Sequence, residues 1–140
     1  MKDSIYICKN RDNFSMGQII ELLHKADWAV NRKPEDIIKS VENSICYGLF
    51  HKNGKLIGFA RIITDFTTTF YLMDVIIEEV YRGQGFGKML MDEIMKDVGH
   101  LYGILHTDSA QEFYERYGFK VTATSDVGET IMERSKQSYD

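Results

Sequence analysis

From Ser4 to Cys8 apolar and polar residues alternate, with Ile5 and Ile7 on one side, the pattern of a strand buried on one face. The period then changes. Ser15-Met16-Gly17-Gln18 has capping-box spacing, and Ile19, Ile20, Leu22, Leu23 and Ala26 follow it at helical intervals. Pro34 suits a first helical position, Glu35 and Asp36 suit a first turn, and Ile37, Ile38 and Val41 carry a second, brief helix to about Asn43. Two β-rich runs, Tyr47 to Lys52 and Lys55 to Thr64, flank Asn53-Gly54, the dipeptide best suited to positive φ at both centres of a two-residue hairpin turn. After a polar interval from Asp65 to Thr69, Phe70 to Ile77 reads as a further strand, antiparallel to its predecessor.

The second half repeats a strand-and-helix alternation. A helix is predicted over Met89 to Val98, with Met89, Leu90, Ile94 and Val98 as its apolar stripe and Gly99 as its cap. Leu101 to His106 reads as a strand; Ser109-Ala110-Gln111-Glu112 offers a second capping box, and Phe113 and Tyr117 share the face of a helix that Gly118 ends. Phe119 to Ala123 then forms a closing strand, with a further short one at Ile131 and Met132. This order gives an α+β fold with a mixed, mostly antiparallel central sheet flanked by helices. Its one parallel pair comes from the right-handed crossover that joins the strand ending at Ile77 to the strand at Leu101.

Composition narrows the class. A chain of 140 residues with 44% hydrophobic residues fits one domain, 1–140, with one well-buried core. It has no apolar run long enough to cross a bilayer, and Met1-Lys2-Asp3-Ser4 lacks the features of a signal peptide, so a soluble cytoplasmic protein is expected. Cys8 and Cys46 have apolar neighbours and no metal-ligand spacing, and are read as reduced core thiols; His24, His51 and His100 are scattered, and no metal site is expected. The net charge of -4 argues against a nucleic-acid partner and favours cationic small molecules.

The chemistry concentrates in Arg82-Gly83-Gln84-Gly85-Phe86-Gly87-Lys88, set between a strand and a helix. Glycines there let successive N–H groups converge on an anion at a helix N-terminus, which makes the loop a phosphate cradle. A nucleotide P-loop is excluded, because Arg82 stands where its first glycine belongs and Met89 follows Lys88 where Ser or Thr is required. A dinucleotide fingerprint starts correctly at Gly83-Gln84-Gly85, but Lys88 occupies the third glycine's place and the preceding meander is antiparallel.

Arg82-x-x-Gly85-x-Gly87 resembles the Q/R-x-x-G-x-G/A loop of the GNAT acetyltransferases, and Ala110-x-x-Phe113-Tyr114-Glu115-x-x-Gly118-Phe119 is similar to that family's A-x-x-F-Y-E-x-x-G-F segment. Gly58-Phe59-Ala60-Arg61 and the order of elements extend the resemblance over most of the chain. It implies acetyl-CoA as co-substrate and direct acetyl transfer to a primary amine of a small molecule or peptide. The alternative is a noncatalytic acyl-CoA-binding regulatory module. The resemblance assigns the pantetheine arm to the backbone of Val75, Ile76 and Ile77, and the pyrophosphate to Arg82, Gly83, Gln84, Gly85, Phe86, Gly87 and Lys88, with Arg82 acting through its backbone as much as its charge. Thr107 stands where Asn is common in the family, and its hydroxyl bonds the cofactor arm or caps the helix.

An aliphatic amine titrates near ~10.4 and must lose a proton before attacking a thioester. The leaving thiolate must gain one, and Tyr114 matches the family tyrosine assigned that task. An N–H of the strand Phe70 to Ile77 is expected to hold the oxyanion. Strand alternation puts Tyr71, Met73, Val75 and Ile77 on one face and Asp74 on the other; Tyr71 and Met73 fill positions where family members often carry Glu or His, so the base is a water chain or His106. Glu78 and Glu79 are expected to be solvated. Trp28, Arg32, Arg61 and Asp65 are substrate-side candidates, with Arg61 pairing with Asp65 or Asp74. The C-terminal sheet edge offers a surface on which a homodimer could form.

Overall fold

Seven strands and four helices follow one another in a computed structural model that describes residues 4–9 and 13–136: β1 (Ile5–Cys8), α1 (Met16–Leu23), α2 (Pro34–Glu42), β2 (Ile45–His51), β3 (Leu56–Thr64), β4 (Thr69–Ile77), α3 (Phe86–Val98), β5 (Tyr102–Thr107), α4 (Gln111–Glu115), β6 (Lys120–Thr124) and β7 (Thr130–Arg134). The strands form one sheet in the order β1-β2-β3-β4-β5-β7-β6, antiparallel except for β4 beside β5. This is the mixed, mostly antiparallel α+β architecture expected from the hydrophobic pattern. Its apolar residues separate into two cores, one on each face. Ile19, Leu22 and Leu23 of α1 and Ile37 and Val41 of α2 pack on Cys46, Phe50 and Phe59, whereas Leu90, Met91, Ile94 and Val98 of α3 pack on Tyr47, Leu49, Ile62 and Phe70. Among the described residues no helix is long and apolar enough to cross a membrane.

Several boundaries differ from the sequence pattern, each for a local reason. The β2–β3 hairpin forms, but Gly54 alone of its turn residues has positive φ (95°), and His51 N–H reaches Lys55 O at 2.8 Å. Lys52-Asn53-Gly54 is therefore a three-residue loop ending in a left-handed glycine. The Asn53 side chain stabilises it by accepting the Lys55 N–H at 3.0 Å. Helix α1 stops at Leu23 rather than Ala26, and α3 starts at Phe86, three positions before the expected Met89, inside the glycine loop itself. Ser109 caps nothing: α4 begins after Ala110, whose N–H donates to the Thr107 hydroxyl at 3.1 Å. The last two strands make a hairpin, and it is the later one, β7, that lies against β5.

One glycine decides how closely β4 and β5 approach. Phe70 is paired with Gly103 across them, and a Cβ on Gly103 would fall 2.3 Å from the Phe70 ring, which is itself fully buried. Gly103→Ala is expected to lower stability by roughly 1–3 kcal/mol, the range for overpacking a core. Denaturant unfolding measures it, and Phe70→Leu in the same chain should recover part of the loss.

Candidate active site

The loop after β4 turns on two left-handed glycines, Gly83 (φ 77°) and Gly85 (φ 88°), the second of which is the N-cap of α3. Its consequence is a run of N–H groups, from Gly83 to Lys88, with no acceptor among the described residues. The first three are freed by the turns, and those of Phe86, Gly87 and Lys88 are the unpaired donors that open any α-helix. No acidic residue sits in the first turn of α3 to compete with an incoming anion. The concave row of donors and the positive end of a 13-residue helix make an anion seat built from backbone.

Side chains of the loop shape it rather than fill it. The Arg82 guanidinium turns back and donates from Nε to Ile77 O at 2.8 Å, tying the loop to the end of β4. Gln84 donates to Val80 O at 3.3 Å. Lys88 points along the helix to Asp92 at 2.7 Å, a hydrogen bond that raises its pKa. Phe86 is buried in the core below, and Gly87 lets the Phe113 ring of α4 approach: an added Cβ would stand 3.2 Å from it. The seat and α4 are thus held in contact.

Beside the seat the sheet comes apart. The parallel pairing of β4 with β5 runs from Thr69↔Tyr102 to Leu72↔Leu105 and ends there, so Met73 to Ile77 have no strand beside them on that edge. Opposite β3 the register slips between Phe59↔Ile76 and Arg61↔Met73, leaving one extra residue in β4, and Asp74 adopts φ 56°. This is a β-bulge, at a residue type that tolerates left-handed backbone. The bulge corrects the expected alternation. Val75 and Ile77 pack toward α3, whereas Met73 is paired with Arg61 on the face toward α1 and α2, where Ile76 also lies.

The opened edge and the anion seat border one cleft of about 1310 Å³. Of the predicted cofactor residues, Val75, Ile76, Ile77, Arg82, Gly83, Gly85, Phe86, Gly87, Lys88 and Thr107 line it; Gln84 does not. Tyr114 lines it too. Its ring is packed between Phe113 and Phe119, 7% exposed, and its hydroxyl has no partner among the described residues. Burial pushes this phenol up to about 12, so it keeps its proton throughout the neutral range.

The far side of the cleft carries charge that motif reading captured only in part. His106, at the end of β5, has its ring centroid 5.6 Å from that of Tyr71, the planes tilted by 37°, and its Nδ1 3.8 Å from Glu129 Oε1. Tyr71 is raised above the usual phenol range by burial first and by Glu129 next. Glu129 belongs to no motif. It reaches the site because Thr130 pairs with Thr107, and the left-handed Gly128 (φ 86°) turns the chain just before it. Reading Asp126-Val127-Gly128 as a hairpin turn would have placed it there. Asp65 is a correction in the other direction: it lies outside the cleft and caps its own turn, accepting the Thr68 hydroxyl at 2.6 Å and the N–H groups of Thr68, Thr67 and Thr69, bonds that hold it well below the usual carboxylate range. Arg61 pairs with Asp74 instead, at 2.7 Å. Glu78 is likewise not simply solvated, being gripped by Lys25 at 2.6 Å and Lys55 at 3.1 Å, while Glu79 is exposed.

Comparison with known proteins agrees with this geometry. The family profile described as Acetyltransferase (GNAT) domain matches residues 42–121. The chain is 33% identical, over 75% of its length, to the protein named uncharacterized N-acetyltransferase ycf52 from Gracilaria tenuistipitata var. liui, and covers 62% of that relative. A crystal structure of a GNAT-family protein from Xanthomonas campestris pv. campestris superposes with a TM-score of 0.78 at 32% identity, over 84% of this chain and 85% of that one. The aminoglycoside 6'-N-acetyltransferase crystallised with coenzyme A shares the fold, with a TM-score of 0.79 at 17% identity over 96% and 99% of the two chains.

Proposed function

We propose, proceeding from the fact that this chain belongs to the acetyltransferase (GNAT) family, that it is an N-acetyltransferase using acetyl-CoA to acetylate a primary amine. One observation carries the reading: the row of unpaired N–H groups from Gly83 to Lys88 adjoins an opened parallel edge at Val75 to Ile77, and Tyr114 borders the same cleft. The row suits a pyrophosphate, and the opened edge suits an arm with amide groups, which would hydrogen-bond along β4 as an added strand does. In this reading Thr107 acts by holding the start of α4, since its hydroxyl is already occupied by Ala110 N–H.

Acetyl-CoA supplies the activated acyl group; the chain's own residues manage protons and charge. A backbone N–H of the unpaired β4 edge is free to stabilise the oxyanion. Tyr114, at about 12, is a weaker acid than a thiol near ~8.5, so it acts first as a hydrogen-bond donor to sulfur and passes its proton only as the carbon–sulfur bond breaks. His106, with Glu129 3.8 Å away, takes the proton of the incoming amine. That residue answers the absence of Glu or His at Tyr71 and Met73, and it favours catalysis over a purely binding role.

Release of free thiol, followed across amines, amino acids and polyamines, tests the proposal. Saturable acetyl-CoA binding with no turnover on any amine would overturn it in favour of the noncatalytic module. His106→Gln is expected to lower kcat about 10²-fold, with acetyl-CoA affinity unchanged. Glu129→Gln should lower kcat less, and an unaltered kcat in both variants would return the base to water.

A further inference from the structure

The bulge in β4 presents Asp74 to two arginines at once, and the charges do not balance. Asp74 Oδ2 accepts from Arg61 Nε at 2.7 Å and from Arg32 Nη1 at 2.7 Å, with the carboxylate side chain only 5% exposed. Arg61, 11% exposed, spends a second donor on the Ser44 hydroxyl at 3.0 Å. Arg32 comes from the segment between α1 and α2. Its carbonyl is 2.8 Å from His24 Nε2, and its guanidinium lies 5.9 Å from the Trp28 ring. The Nε and Nη2 of Arg32 and the Nη2 of Arg61 have no partner among the described residues, and both arginines line the cleft. Two cations against one anion leave a surplus positive charge in a half-desolvated place, where an unmatched charge is costly.

We infer that Arg32 and Arg61, held on Asp74, form a subsite for a carboxylate carried by the amine acceptor; the inference rests on the transferase reading and names its substrate class. A single carboxylate neutralises the surplus, and its planar geometry matches the paired donors an arginine leaves open. A doubly charged phosphate would overshoot. The opposite side of the acceptor pocket has the complementary character. Tyr71 borders both: it lies two residues along β4 from Met73, the cross-strand partner of Arg61, and its ring centroid is 5.6 Å from that of His106. An acceptor lying over Tyr71 therefore meets a proton acceptor at its amine end and a cation at its carboxylate end. Trp28, 47% exposed on the Arg32 side, adds an apolar wall for the body of the molecule. The substrate is an amino-acid-like zwitterion with an apolar side chain, rather than a polyamine.

The test compares matched acceptors: an apolar amino acid, its primary amide, and the amine lacking the carboxyl group. Thiol release should show kcat/KM for the amino acid 10- to 100-fold above the other two. Arg32→Gln should remove that preference by raising KM for the amino acid 10-fold or more beyond any change for the amide; Arg32→Lys should recover part of it. Equal kcat/KM for the three acceptors, or a preference unchanged in Arg32→Gln, overturns the subsite while leaving the transferase reading intact. A second measurement stands apart from turnover. Calorimetric titration with the amine-free carboxylic acid of the same side chain should show saturable binding that Arg32→Gln abolishes and that survives even if no amine is acetylated. Absence of saturable binding to the wild-type chain, or binding equally strong in a folded Arg32→Gln variant, overturns the subsite.

Discussion

A Tyr114→Phe variant is expected to turn over about 10²-fold more slowly than wild type, with little change in acetyl-CoA affinity or thermal stability. The ring keeps its packing between Phe113 and Phe119, and only the hydroxyl is lost, a group that makes no hydrogen bond among the described residues. Removing it therefore leaves no buried partner unsatisfied, and the fold should not register the change. Catalysis should, because the thiolate would leave into a cleft wall with no donor beside it. The pH–rate profile provides a second check. A phenol raised to about 12 stays protonated across the measurable alkaline range, so wild type should show no fall in rate from Tyr114 between pH 8 and 10. A parallel loss of turnover and of melting temperature would assign Tyr114 to the core instead.

Substituting both left-handed glycines, Gly83→Ala with Gly85→Ala, is expected to weaken acetyl-CoA binding by roughly 10²-fold or more. A Cβ at each of these φ values costs about 1–2 kcal/mol. At Gly83 an added Cβ meets nothing within 4 Å, so no packing cost adds to the strain there. The cost is therefore conformational, and the loop escapes it by rotating its N–H groups out of their converging arrangement. Arg82→Ala should weaken binding less, because its anchoring bond to Ile77 O orients the loop from outside the donor row. Isothermal titration with coenzyme A separates these outcomes, and a double variant that binds normally would remove the backbone seat from the mechanism.

What was legible in advance follows a physical division. The glycine loop, the helices behind Ser15 and Pro34 and the hairpin at Gly54 depend on contacts within a few residues, where backbone sterics and capping leave a mark in the chain. Even there, details settled by neighbouring side chains escaped. The Asn53 side chain selected a three-residue turn, and the hydroxyl of Thr107 rather than Ser109 received the N–H of Ala110, just before α4. The bulge at Asp74 was invisible for a stronger reason: an extra residue in a strand appears only against its partner, and strict alternation kept Val75 and Ile77 on one face with Met73, which the bulge separates from them.

By itself the sequence determined the order of elements, the mixed sheet and the glycine-loop side of the cleft, because Arg82 to Lys88 and Phe113-Tyr114 are contiguous segments whose geometry is local. Only the tertiary structure decided the opposite side. Arg32 meets Asp74 across 42 residues, and Glu129 meets His106 through the pairing of β7 with β5; neither juxtaposition leaves a periodicity or a spacing to read. Those contacts arise from sheet order and strand register, set by burying two cores at once, and they give the cleft its particular distribution of charge.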